Sequence, residues 1–217
     1  MRGAGAGGGE IRNIYIVRHP EAEHHVKKLA GGWYDTSLTE KGKEQANKIA
    51  KNLFREIKIT GIPIYSSDLK RCSETAEHLS QIFNSSVTLD KNLRERNFGE
   101  AGGKTLEWCR AHVILLPEDN SRIDHCTLKG AETIREAGTR AHNFINNLLE
   151  KPDDNVIIIT HGSFTNYLCM AWLKVPVEYM GYADFQGQSG GVTLLNEDDM
   201  RKNRNIIYLN RMDFLEG

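Results

Sequence analysis

The chain has 217 residues, of which 39% are hydrophobic and 26% charged, and a formal net charge of -1. That length suits one sizeable α/β domain and is short for two. The near-neutral balance gives no electrostatic footprint for nucleic acid or an anionic membrane, so any phosphate chemistry must rest on a local cluster of cations in a cleft.

Residues 1–10 are rich in glycine and lack the apolar h-region of a secretory signal; they read as a flexible tail, leaving 11–217 as a single domain. From Ile11 to Val17 the β-branched residues predict a strand, which stops at the polar cluster Arg18-His19-Pro20-Glu21. Ala46, Ile49, Ala50, Leu53, Phe54 and Ile57 form an apolar stripe at helical spacing, with Thr39 as the N-cap and Glu40 in the first turn. Ile62 to Tyr65 predicts a second strand, and Ser66-Ser67-Asp68 a cap for a helix from about Leu69 to Phe83. Val87-Thr88-Leu89 is a third strand candidate.

The pattern weakens from Leu93 to Pro117, where Gly99, Gly102 and Gly103 mark a loop. A helix follows from about Ile134 to Leu149, opened by a capping box in Thr133-Ile134-Arg135-Glu136. Asn155 to Thr160 is a continuous apolar strand of the kind buried on both faces of a parallel sheet, and its run Val156 to Ile159 is far too short to span a membrane. After His161-Gly162 a helix begins near Ser163, and the tail offers strands near Gly191–Leu195 and Ile206–Leu209, with Glu197 to Lys202 as the turn between them. Alternating strands and helices predict an α/β fold, a three-layer α/β/α sandwich with a mainly parallel central sheet. Cys72, Cys109, Cys126 and Cys169 form no CxxC pair, which favours reduced thiols in a cytoplasmic protein over a disulfide framework.

In open α/β sheets ligands sit beyond the carboxyl ends of the strands. Arg18 and His19 follow the first strand, Arg71 lies a turn past the second, Glu95 a few residues past the third, and His161 after the long central one. Two histidines, two arginines and a carboxylate in one crevice suit phosphoryl transfer. Arginines pair with phosphate oxygens in a two-pronged fashion and stay charged. A neutral imidazole is a competent nucleophile near pH 7, and a carboxylic acid can protonate a departing oxygen. Taken singly each residue has a plainer reading. Arg71 could pair with Glu74 or Glu77 on its own helix, and Arg94-Glu95-Arg96 reads as a solvated charge run.

Together, Arg18-His19 after an apolar strand, Ser67-Asp68-Leu69-Lys70-Arg71 with Thr75-Ala76, Leu93-Arg94-Glu95-Arg96-Asn97-Phe98-Gly99, and Thr160-His161-Gly162 resemble the four motifs of the histidine phosphatase superfamily, which includes the cofactor-dependent phosphoglycerate mutases. The segment Gly32-Trp33-Tyr34-Asp35-Thr36-Ser37-Leu38-Thr39 is similar to one that follows the nucleophile loop in the mutases, and a Gly-Ala-Glu-Thr segment before a helix carrying Arg140 is similar to a further family pattern. The resemblance implies a phosphoglycerate mutase-like fold and a metal-independent reaction without a cofactor. His19 would attack phosphorus, Arg18, Arg71 and His161 would hold phosphoryl oxygens, and Glu95 would serve as general acid and base.

The sequence departs from that family's pattern in three places. Pro20 replaces the usual Gly after the nucleophile, which removes a main-chain donor. His25 replaces a frequent Asn and can still donate to phosphate, while His24 beside it is expected to point elsewhere. The stretch from Gly99 to Thr133 is short, with only Arg110 and Arg122, and lacks the paired arginines that bind the substrate carboxylate in mutases. That favours a phosphatase acting on a small phosphorylated metabolite over a mutase-type phosphotransferase or a catalytically weak phosphate-binding module.

His25, Gly32, Trp33 and Gly162 are the expected substrate contacts. His24-His25 and Asp124-His125-Cys126 lack zinc-like spacing and read as solvated loops, so no metal site is expected. Gly187 to Gly191 resembles a phosphate-cradling loop only loosely and lacks its lysine. The partners expected are a small phosphorylated substrate, with no nucleic acid and no membrane; oligomeric state stays open, a homodimer being compatible with it.

Overall fold

The computed structural model describes residues 12–116, 118, 122–185, 187–198 and 200–216. The glycine-rich tail over residues 1–10 lies outside them, as do Ile11, Pro117 and Asp199. Strands β1 (Arg12–Arg18), β2 (Ile64–Ser66), β3 (Val87–Leu89), β4 (Asn155–Thr160), β5 (Val192–Glu197) and β6 (Arg204–Arg211) form one sheet in the order β3-β2-β4-β1-β5-β6. The pairs β3–β2, β2–β4 and β4–β1 are parallel, and β5 and β6 join antiparallel at the other edge. The predicted α/β class and mainly parallel sheet are those observed.

Period-two side-chain alternation sorts the sheet into two cores. Ile14, Ile16, Val156 and Ile158 join one apolar cluster with α5 (Ile134–Leu149) and α6 (Gly162–Trp172). Tyr15, Val17, Ile157 and Ile159 join the other with α2 (Glu40–Ile57) and α3 (Lys70–Phe83). Helices therefore cover both faces, which is why the central strands carry no polar face to the water. No helix among the described residues is long and apolar enough to cross a membrane.

Two predicted caps are present. Thr39 Oγ1 accepts from Gly42 N at 3.0 Å, and Glu136 N donates to Thr133 Oγ1 while Thr133 N donates to Glu136 Oε2 at 2.8 Å. The expected cap of α3 is not. Leu69 holds the N-cap position without a side-chain bond; Ser67 Oγ instead meets His161 Nε2 at 2.8 Å, and Asp68 takes a two-pronged pair from Arg94. The stretch read as a loop between Leu93 and Pro117 contains a short helix, α4 (Leu106–Ala111), capped by Thr105 Oγ1. At six residues it is too short for its apolar spacing to register as a helical pattern. The four-residue α1 (Glu23–Val26) escaped for the same reason.

The first turn of α2 lies against the loop that follows His19. A Cβ on Gly42 would sit 1.9 Å from the main-chain oxygen of Glu21, where nothing flexible can yield. Alanine would gain about 1 kcal/mol in helix propensity over glycine, which the clash outweighs. Gly42→Ala is expected to destabilise the fold by about 1–3 kcal/mol, read as a lower midpoint in urea unfolding with an unchanged slope.

Candidate active site

Strand β1 ends opposite β4 with Arg18 beside Thr160, and His19 N donates to Thr160 O at 3.0 Å. The register places His19 and His161 at neighbouring strand ends, their rings edge to face with centroids 5.1 Å apart. Both are buried, at 3% and 0% exposure. His19 Nδ1 lies 2.9 Å from Pro20 O, so Nδ1–H donates to the carbonyl and the Nε2 lone pair is left facing the cavity. Proline removes a donor at this position but supplies the acceptor that fixes the tautomer.

Arg71 is 1% exposed and makes no ion pair with Glu74 or Glu77. Its Nη1 donates to Tyr34 O at 3.0 Å and its Nη2 to Gly32 O at 2.7 Å, which aims Nε at His19 Nε2, 3.3 Å away. Arg18 reaches in from the strand end with Nη1 on Gly187 O; its Nε is buried and has no hydrogen-bond partner among the described residues. Gly162 makes room for it, since a Cβ there would lie 2.8 Å from Arg18 Cζ. The loop from Gly187 thus anchors an arginine through a carbonyl, while its amides at Gln188, Gly190 and Gly191 donate to Asn210 Oδ1, Arg18 O and Gln188 O.

Glu95 is 8% exposed, not part of a solvated run. Its Oε2 accepts from Ser163 N at 3.1 Å and its Oε1 from Phe164 N and Arg96 N, so the carboxylate closes the N-terminus of α6. The segment carrying it is clamped from two sides. Arg140 donates to the carbonyls of Asn92, Arg94 and Glu95 and pairs with Glu132, which in turn accepts from Asn97 N. On the other side Trp33 Nε1 donates to Glu95 O at 2.7 Å.

These groups meet in one cavity of about 690 Å³, lined among others by Arg18, His19, His25, Gly32, Arg71, Glu95 and Gly162. His161 lies beneath His19 and does not line it; Trp33, 40% exposed, stands outside it behind Glu95. His24 does not point elsewhere. It is buried, lines the cavity, and bonds Thr36 Oγ1 through Nδ1 at 2.8 Å. His24 and His25 are successive residues of α1, and both line the cavity. Arg96, with a buried Nε that lacks a partner among the described residues, is a lining residue the sequence did not separate from its charge run.

Burial, reinforced by Arg71, His161 and His25, holds the His19 imidazolium pKa well below 6.5, and burial first, then Arg71, does the same to His161. Burial lowers His24 to about 3, with help from His25, and His25 to about 4, with help from Arg18. At neutral pH the cavity therefore holds neutral imidazoles among guanidinium groups, an arrangement that attracts a phosphate dianion without silencing the nucleophile.

His19, His24 and His25 offer ring nitrogens within 4.8 Å of one another, the one such set of three among the described residues. The expectation that His24-His25 forms a solvated loop is therefore corrected. The set suits a cation poorly: Ala22 N donates to His25 Nδ1 at 3.2 Å, which leaves the proton on Nε2, and two guanidiniums stand alongside. In Asp124-His125-Cys126 each side chain has an ordinary partner, namely Arg135, Ile114 O and Ala131 O.

The family model of the histidine phosphatase superfamily, branch 1, matches residues 14–206. The chain belongs to the histidine phosphatase superfamily. A 2,3-bisphosphoglycerate-dependent phosphoglycerate mutase of Bartonella bacilliformis is 30% identical over 183 residues, covering 73% of this chain and 80% of its own. A mycobacterial glucosyl-3-phosphoglycerate phosphatase superposes with a TM-score of 0.75 at 25% identity, over 93% of this chain and 99% of its own. The alpha-ribazole phosphatase of Shigella flexneri shares the fold, with a TM-score of 0.75 at 22% identity over 92% and 96% of the two chains.

Because His24 and His25 stay neutral in the folded histidine phosphatase domain, acid should unfold it. Below pH 6.5 the unfolded chain binds protons on both imidazoles, while the folded chain does so only near pH 4 and 3. Stability is thus retained above pH 6.5 and lost as pH falls toward 4. Calorimetric Tm should drop across that window more steeply for the wild type than for a His24→Gln, His25→Gln double variant; parallel curves would contradict the assignment.

Proposed function

We propose that the protein is a phosphomonoester hydrolase that works through a phosphohistidine on His19. The observation carrying this reading is the position of His19 Nε2: unprotonated, aimed into a cavity that Arg18, Arg71 and Glu95 also line. In the first step Nε2 forms a bond to phosphorus as the ester P–O bond breaks, and Glu95 gives a proton to the departing alkoxide. In the second, Glu95 takes a proton from a water whose oxygen attacks phosphorus, and the N–P bond breaks to release phosphate.

Catalysis of phosphoryl transfer is mostly positioning and electrostatic stabilisation. Arg18 has an unpartnered Nε for a phosphoryl oxygen, Arg71 can turn its Nε from His19 to the incoming group, and His25 presents Nε2–H. The guanidiniums supply the positive charge that a metal ion provides elsewhere, and we place the reaction outside metal dependence. His161, held by Ser67, supports His19 from below and touches the phosphoryl group only if the rings shift. The four free thiols accord with a cytoplasmic setting.

A mutase reading draws on the mutase named among the relatives. Hydrolysis is favoured because the arginines between Gly99 and Thr133 stay out of the cavity: Arg122 bonds Gly181 O and stacks on Tyr182, and Arg110 is exposed on α4. Incubation with 3-phosphoglycerate and its bisphosphate separates the two, since isomerisation faster than phosphate release would overturn the hydrolase reading.

With a generic aryl phosphate, the wild type is expected to release phosphate at an undiminished rate in chelator, and a loss restored by zinc or magnesium would contradict metal independence. Glu95→Gln should lower kcat by about 10²–10⁴, and His19→Ala should abolish turnover. An inert wild type would favour the binding-module reading instead. The acid limb of kcat/KM should fall below pH 6.5, because burial keeps His19 neutral there.

A further inference from the structure

The cavity is much larger than its reactive end, and its two ends differ in chemistry. Arg18, Arg71, Glu95 and the histidines gather at the strand ends. The rest of the lining includes a set of apolar residues, Phe98, Leu106, Cys109, Leu128 and Phe185, which share the cavity with Lys28, Arg96 and Asp184. We infer that the substrate is a phosphomonoester whose alcohol carries a bulky apolar body, of the size of an aromatic ring or larger, seated on these apolar residues. The inference rests on the phosphohydrolase reading and adds the class of leaving group.

Size is the first argument. A cavity of about 690 Å³ lies in the range of sites that enclose a drug-sized ligand. A three-carbon phosphate seated at His19 would leave most of it filled with water. The second argument is uncovered apolar surface at a preformed place. Leu106 is 43% exposed although it lines the cavity, and Leu106 and Cys109 stand one turn apart on the same face of α4. That helix does not hang free. Leu106 N donates to Lys28 O at 3.1 Å, Ala30 N to Lys104 O at 2.8 Å and Gly103 N to Ala30 O at 2.8 Å. Leu106 and Cys109 are therefore pinned to the segment that follows the nucleophile before substrate arrives. An apolar leaving group would gain free energy by covering this surface, whereas a polar one would lose its own hydration there.

The test compares 4-phenylbutyl phosphate with ethyl phosphate, two primary alkyl monoesters with the same leaving-group chemistry that differ in the apolar body. The wild type should favour the phenylbutyl ester in kcat/KM by at least about tenfold. Leu106→Asp, at an exposed position that spares the core, should erase most of this preference through KM, and Leu106→Met should keep it. Equal kcat/KM for the two esters in the wild type, or a preference untouched by Leu106→Asp, would overturn the inference while leaving hydrolysis in place. Release of phosphate from neither ester would overturn the phosphohydrolase reading and this inference with it.

Discussion

Strands β1 and β4 run parallel with Arg18 opposite Thr160, and the hydrogen bond from His19 N to Thr160 O carries that register one residue beyond the strands. Everything at the site is placed relative to this pairing. A slip of one residue would send every β4 side chain to the opposite core and carry His161 away from His19. The chain then turns at Pro20, whose carbonyl fixes the His19 tautomer, and α6 starts at Gly162, whose bare Cα admits Arg18. Backbone pairing at the strand ends and the Pro20 carbonyl thus decide which lone pair faces the cavity.

Around this frame the charges are arranged by main-chain groups. Carbonyls of Gly32, Tyr34 and Gly187 hold the two guanidiniums, and amides of Ser163, Phe164 and Arg96 hold the Glu95 carboxylate. Such partners are fixed by the backbone, so the guanidiniums and the carboxylate they hold are preorganised at the cavity. The Glu132–Arg140 pair lies farther out, at 12% and 13% side-chain exposure. It touches none of the reacting atoms; it ties the Glu95 segment to α5 and so positions the carboxylate.

Much of this was legible in the residues, because the informative features repeat with a period or sit at fixed places on a strand. The α2 stripe with Thr39, the Thr133–Glu136 box and the apolar β4 were read where they lie, and Arg18, His19, Arg71 and Glu95 converge as their strand-end places suggested. What stayed hidden depends on tertiary partners. Asp68 pairs with Arg94 instead of capping α3, and Trp33 supports Glu95 from behind instead of lining the cavity. His24 turns inward because a helix of four residues, below the length at which periodicity speaks, aims it there. Arg96 differs from Arg94 only in what packs beside it, Thr127 against Asp68.

The central claim is that the His19 Nε2 lone pair is the nucleophile. Its most direct test is to mix the enzyme with a phosphomonoester, quench in alkali within one turnover, and locate the bound phosphoryl group by peptide mass spectrometry. The structure predicts a transient phosphohistidine on the peptide carrying His19, absent when His19 is replaced. Phosphate released by an active enzyme with label on another residue, or with no covalent species at any time point, would contradict it.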